Sequence, residues 1–329
     1  MTDEVFPVVY SVLASSGLLA KVLPCYELET VEVCRFWHHG LSDIYLVETQ
    51  TRRYILRVSH SHWRTKTDIE FELDLLEFLH QHMIPVAYPI RTREHKLSIE
   101  IDAPEGKRYA NLFVYAPGKV ALGDLNPGQS YKLGETVALL HQTALGFRCQ
   151  AHRQTLTLDY LLDDSFRAIG PFLEAKTADL DYLTAVMIQV KSQLQYFPKD
   201  PPLWTVCWGD PHSGNVHFTL DRQLMLFDFD QCGYGWRIFE IAKFLQISLT
   251  TGLAAKARSA FIDGYQSITL LMNDEIAVLQ PFTVAAHIWA WAIGVHRAML
   301  HDYCRLDNYY FQHRLEQLKM LRSPDWQLF

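Results

Sequence analysis

The sequence predicts an α+β protein of two lobes, a small strand-rich one over residues 1–115 and a larger, mainly helical one over residues 116–329. Short runs of β-branched and aromatic residues bounded by turn formers crowd the first third of the chain. Beyond the break Ala116-Pro117-Gly118 the apolar residues recur at helical spacing instead. A strand–loop–strand interrupts those helices, and it carries the densest polar chemistry in the chain.

Residues 6–13 read as a short amphipathic helix ending near Ser15-Ser16-Gly17. Residues 32–36 and 43–48 read as strands joined by a turn over 38–42, with a third strand at 54–58. From 66 to 82, Ile69, Leu73, Leu76 and Leu79 recur at helical spacing, with Thr65 or Thr67 as the cap and Asp68 and Glu70 in the first turn. Strands at 97–101 and 110–115 complete a five-stranded lobe with one helix packed on it. Helices are expected at 131–145, 158–169, 179–196, 236–249, 254–271 and 273–300.

At 329 residues the chain can bury a large core. A net charge of −7 argues against nucleic acid as the main partner, since phosphate backbones attract basic surfaces. The six cysteines form no CxxC pair and read as reduced thiols. The start Met1-Thr2-Asp3-Glu4 is acidic where a signal peptide is basic. The apolar stretch 282–295 contains His287 and falls short of the ~20 residues of a membrane span, so a soluble, cytoplasmic protein without a membrane partner is expected. Close histidine pairs such as His80 and His82 lack metal-site spacing, and no GxSxG, GxxxxGK[ST] or GxGxxG element is present.

The informative stretch is Trp208-Gly209-Asp210-Pro211-His212-Ser213-Gly214-Asn215, followed by Leu226-Phe227-Asp228-Phe229-Asp230. Asp210 follows a buried strand, Asn215 lies five residues on, and Asp228 thirteen beyond that. Phosphoryl transfer uses such a trio: one carboxylate orients the acceptor hydroxyl, and an amide and a second carboxylate hold Mg²⁺ on the nucleotide phosphates. Asp210 is thus the candidate base, and Asn215 and Asp228 are the candidate metal ligands. Asp230 is either an additional ligand, an orienting group or a solvated strand-end carboxylate. His212 either supports Asp210 or is a surface loop residue, and the Trp289-Ala290-Trp291 helix with His287 packs the core or lines a substrate pocket.

Trp208 to Asn215 resembles the His-Gly-Asp-x4-Asn loop of the aminoglycoside phosphotransferase/choline kinase family, and Asp228 matches its metal-binding Asp. Leu133-Gly134-Glu135 through Gln142 resembles that family's first large-lobe helix, and Phe261-Ile262-Asp263-Gly264-Tyr265 a recurrent late helix. Further similarities point to two branches. Gly264-Tyr265-Gln266-Ser267 has the flavour of type II homoserine kinases, and Trp63-Arg64-Thr65 and His141-Gln142-Thr143 that of stress response kinase A.

The resemblance implies a bilobal protein-kinase-like fold that binds ATP with Mg²⁺. It implies that Gly40 and Ser42 belong to the turn covering the phosphates. Arg57 stands where the family usually has Lys, with Glu72 as its helix partner and Glu70 as the rival. The strand edge over 111–115, with Phe113 and Tyr115, is expected to meet adenine; Phe113 also suits the core. Trp208 replaces the family's His, which implies altered packing. The expected acceptor is a small-molecule hydroxyl of amino alcohol, homoserine, sugar or aminoglycoside type. The alternatives are a protein Ser/Thr and, in another class, a non-catalytic pseudokinase binding module.

Overall fold

The computed structural model describes residues 6–121, 124–221 and 223–323; the acidic N-terminal tetrapeptide lies outside them. The chain divides into two compact units. The first comprises Met1–Pro117, Arg148–Arg153 and Met225–Phe227; the second comprises Gly118–Phe147, Gln154–Leu224 and Asp228–Phe329.

The start of the first unit differs from the expectation. Residues 6–13 are not helical, and the helix α1 is Ser15–Lys21. Polar anchors explain this: the Tyr10 hydroxyl donates to Asp43, the Ser11 hydroxyl to Glu105 (2.7 Å), and the Ser11 carbonyl accepts from Arg108 (2.6 Å). Asp43 is fully buried, and burial alone would raise its pKa. Hydrogen bonds from His60, Arg108, Tyr10 and His39 outweigh that and hold it well below the usual carboxylate range.

Strands β1 (Val31–His39), β2 (Ser42–Thr49) and β3 (Arg53–Ser59) are longer than their apolar cores suggested. Helix α2 (Lys66–Gln81) starts at a capping box in which Thr65 and Asp68 bond reciprocally. Strands β4 (Ile99–Ala103) and β5 (Gly106–Val114) complete an antiparallel sheet in the order β1-β2-β3-β5-β4. Its register sets Arg57 opposite Ile44 on one side and Asn111 on the other. Tyr45, Val47, Leu56, Val58, Ala110 and Leu112 bury one face of the sheet against Leu18, Val22 and Leu23.

The second unit begins with α3 (Pro127–Ala144), capped by Asn126. The helix expected over 158–169 is a π-helix, Asp159–Asp164, running into α4 (Ser165–Ile169). After α5 (Thr177–Leu194) come the strands β6 (Trp204–Cys207), β7 (Val216–Phe218), β8 (Leu224–Leu226, of which Met225 and Leu226 belong to the first unit) and β9 (Gly233–Trp236), of which β6 pairs antiparallel with β9. The remaining helices are α6 (Arg237–Thr251), α7 (Ala255–Gln266), α8 (Asn273–Ala277), α9 (Leu279–His301) and α10 (Asn308–Leu321).

Two expected helices are shorter or divided. α7 stops at Gln266, where the Ser267 hydroxyl folds back on the Gly264 carbonyl (2.7 Å). The stretch 273–300 is two helices, because Pro281 lacks the N–H that would continue the ladder to Ala277. α3 and α7 cross at Gly134 and Gly264. A Cβ on Gly134 would collide with the Phe261 carbonyl, and one on Gly264 with the Tyr131 carbonyl. Among the described residues no helix is long and apolar enough to cross a membrane, and no disulfide joins the cysteines.

Candidate functional site

The loop after β6 is shaped from inside the second unit. Glu240 on α6 is fully buried, and its carboxylate accepts from two successive main-chain N–H groups, those of Trp208 and Gly209. Gly209 has φ +92°, and a side chain there would strike the Gln231 carbonyl, so only glycine makes this turn without strain. Behind Glu240 stands His141 of α3, with Nε2 at 3.4 Å from Oε2 and Nδ1 at 2.9 Å from the Tyr265 hydroxyl. A carboxylate only accepts, so Nε2 carries the proton and the Tyr265 O–H donates to Nδ1. Burial pushes the Tyr265 hydroxyl far above its ordinary range, which keeps it a donor. His141, Cys207 and Glu240 have metal-site proximity, but the Glu240 oxygens and His141 Nδ1 already hold these bonds.

Asp210 emerges half-buried from this anchored loop. Its Oδ1 lies 3.5 Å from Nζ of Lys243 on α6, and its Oδ2 lies 3.3 Å from His212 Nε2. His212 Nδ1 accepts from the Gly214 N–H (3.0 Å), so Nε2 is the protonated nitrogen facing Asp210. The Asn215 amide donates to both the Asp210 carbonyl (3.2 Å) and Oδ2 (3.3 Å). Burial would raise the Asp210 pKa, but Lys243 and then His212 outweigh it and hold the carboxyl below its ordinary value.

Asp228 lies outside the strands that flank the loop. β8 stops at Leu226, and Asp228 sits exposed in the following loop with φ +57°, a left-handed conformation uncommon outside glycine. Its carbonyl accepts from the Trp208 indole (3.0 Å). Asp230 is buried, which removes the solvated alternative. With the NH₂ end of Asn215 turned to Asp210, its other polar atom is the amide oxygen. That oxygen and the Asp228 and Asp230 carboxylates are hard donors, a set that fits Mg²⁺ or Ca²⁺ and not a thiophilic metal.

In the first unit, Arg57 donates from Nη1 to Glu72 Oε1 and from Nη2 to Oε2, both at 2.7 Å. Glu72 is buried, whereas Glu70 pairs with exposed Lys66 (3.7 Å). The Arg57 guanidinium also lies over the Phe113 ring (4.9 Å), and Phe113 is buried. The strand edge expected over 111–115 is taken up within the unit. Ile90 N–H donates to the Leu112 carbonyl (2.7 Å), Val114 N–H to Tyr88 (3.1 Å) and Tyr115 N–H to Arg53 (3.3 Å). The Tyr115 ring lies under Arg53 (4.3 Å). Gly40 occupies the β1–β2 turn, where a Cβ would meet only ordinary contacts, and its N–H donates to the Ser42 carbonyl (3.1 Å). Ser42 is buried opposite Ser59.

Sequence reasoning missed Glu240 and Lys243. Their signal was present as two charges three residues apart inside Ile238-Phe239-Glu240-Ile241-Ala242-Lys243-Phe244-Leu245, a run otherwise buried and apolar. Charges in such a run need partners.

Residues 33–282 match the model of a phosphotransferase enzyme family. Across all 329 residues the chain is 55% identical to an uncharacterised protein of Synechocystis sp., covering 91% of that protein. Among solved structures, an amicoumacin kinase in complex with AMP-PNP, Ca²⁺ and Ami aligns with a TM-score of 0.77 at 21% identity, over 94% of this chain and 93% of the other. A microcompartment-associated aminopropanol kinase aligns with a TM-score of 0.74 at 18% identity, over 92% and 94%. These likenesses establish the protein-kinase-like fold, with a strand-rich N-terminal lobe and a mainly helical C-terminal lobe.

Proposed function

The chain belongs to the phosphotransferase enzyme family, and from that premise we propose that it transfers the γ-phosphate of ATP to a hydroxyl of a small molecule. The observation that carries this reading is the Asp210 carboxylate, held on an anchored loop between Lys243, His212 and Asn215. The acceptor oxygen attacks the γ-phosphorus as the bond to the β,γ-bridging oxygen breaks and ADP leaves. Asp210 accepts the hydrogen bond of the attacking hydroxyl, takes its proton and returns it to solvent. A carboxyl held below its ordinary pKa is a weak base, which suits a loose transition state in which orientation matters more than early proton removal.

Asn215 and Asp228, with Asp230, would hold Mg²⁺, which neutralises charge on the β- and γ-phosphate oxygens when bound. In the first unit, Arg57 is set by Glu72 to steady the phosphates, and Gly40 and Ser42 form the turn that approaches them. Adenine contacts are proposed around Tyr115, since the Phe113 ring packs against Arg57. A relative bound to AMP-PNP and Ca²⁺ supports a nucleotide and a divalent cation, and relatives named for amicoumacin and aminopropanol support a small-molecule acceptor.

The test is ADP release from MgATP across a panel of alcohols, with Asp210→Ala in parallel. The variant is expected to lose ~10²–10⁴ in rate while still binding nucleotide. Equal turnover by the variant would refute the reading.

A further inference from the structure

Lys243 is absent from the reaction as described, yet it is buried beside the candidate base. Its Nζ lies 3.5 Å from Asp210 Oδ1 and 5.6 Å from the centre of the Trp289 ring on α9. An acceptor hydroxyl that hydrogen-bonds to Oδ1 lies about 2.8 Å from it, and so no more than about 6 Å from Nζ. The Lys243 ammonium therefore borders any acceptor in position to react.

A kinase for amino alcohols must place a cation close to the reacting hydroxyl. Proteins hold such cations with a carboxylate and the face of an aromatic ring. Both features are present at this base, and both are engaged by the chain's own ammonium. Glu240, the buried carboxylate on α6, is committed to the main-chain N–H groups of Trp208 and Gly209. Arg314 adds a second positive charge that acts on Lys243. Burial draws the Lys243 pKa down, and the Asp210 carboxylate opposes this, as expected of an ion pair.

We propose that Lys243 sets the charge class of the acceptor, so that the site takes an alcohol with no cation near its reacting hydroxyl: a polyol, a sugar or a hydroxy acid. This rests on the phosphotransfer reading and narrows it. Lys243 occupies the position between a carboxylate and an indole face that an acceptor's ammonium would need. Removing it frees a carboxylate and an indole face together, which creates a site for an external ammonium.

The experiment uses two matched sets of three that differ in charge: glycerol, serinol and glycerate, and glucose, glucosamine and glucuronate. Their dissociation constants are measured calorimetrically on the full chain with Mg²⁺ and AMP-PNP, for the wild type, Lys243→Met and Lys243→Arg. The wild type is expected to bind the neutral or acidic member at least ~10-fold more tightly than the amine, whose like charge sits beside a hydroxyl that itself lies within about 6 Å of Nζ. Lys243→Met is expected to reverse the order by gaining affinity for the amine, a gain that structural damage does not produce. Lys243→Arg should keep the wild-type order.

Equal or tighter binding of the amines by the wild type overturns the proposal, even if Lys243→Met does not fold. An unchanged ratio in Lys243→Met, or no binding of any neutral or acidic member, also overturns it. Background hydrolysis of MgATP, compared with Asp210→Ala, reports separately on phosphotransfer. A charge preference with no Asp210-dependent hydrolysis would refute the enzyme reading while leaving the acceptor preference standing.

Discussion

The indole N–H of Trp208 donates to the main-chain carbonyl of Asp228 at 3.0 Å, joining the loop that carries Asp210 to the candidate metal ligand. Asp228 holds φ +57°, a conformation that needs support from its surroundings. The indole thus goes beyond the altered packing expected of a Trp in place of the family's His. It links two parts of the site through one hydrogen bond.

That link predicts a metal-dependent phenotype. Trp208→Phe keeps an aromatic ring against Phe229 but removes the donor. Losing one hydrogen bond is worth about 0.5–1.5 kcal/mol, so Mg²⁺–AMP-PNP binding is expected to weaken roughly 2–12-fold. Trp208→His, which restores a donor, should recover part of it. Calorimetric titration checks this, and an unchanged dissociation constant in Trp208→Phe would show that Asp228 keeps its conformation without the indole.

The Arg57–Glu72 pair predicts an asymmetric double-mutant cycle. Both side chains are buried, and the two hydrogen bonds are parallel. Arg57→Ala strands a buried carboxylate and is expected to cost about 3–5 kcal/mol in urea unfolding. Arg57→Met combined with Glu72→Leu should recover most of that stability while losing nucleotide affinity. A double variant as unstable as Arg57→Ala would place the cost in packing instead.

A pH prediction follows from His287. Burial lowers its pKa from about 6.5 to about 3, against a raising effect from the Arg314 carbonyl that its Nε2–H meets at 3.0 Å; Arg314, Lys243 and His313 also disfavour the proton. Between those values the unfolded chain binds the extra proton, so stability falls as the pH is lowered from about 6.5 toward 3. This group alone contributes a slope of up to ~1.4 kcal/mol per pH unit. His287→Gln retains a donor but does not titrate. Urea unfolding at successive pH values should give a shallower acid limb for the variant, and parallel limbs would refute the assignment.

The strands around Arg57 and the helix carrying Glu72 were legible because their apolar spacing and the Thr65 cap agree with one another. The Asp210 loop was legible as a loop after a buried strand, because an apolar run ends at Trp208, and Gly209 and Pro211 break it. What failed did so through tertiary contacts. Residues 6–13 have an amphipathic pattern, but Tyr10 and Ser11 bond to Asp43, Glu105 and Arg108, which are distant in sequence. Glu240 and Lys243 were passed over because a helix buried on all sides has no polar face to mark an unusual charge. α10 offered ordinary signals, an Asp307 cap and Phe311, Leu315 and Leu318 at helical spacing, and was overlooked all the same.

The crossing of α3 and α7 bears on how relatedness is read in this protein. Two of the segments that resemble the family outside the Asp210 loop meet at Gly134 and Gly264, where neither residue has room for a single carbon. Similarity in those segments therefore records a steric requirement between two helices. Acceptor preference can diverge through residues such as Lys243 while both glycines stay fixed. Likeness at the crossing therefore carries no information about the acceptor, and under the proposal for Lys243 the informative position in a relative is the one that matches Lys243.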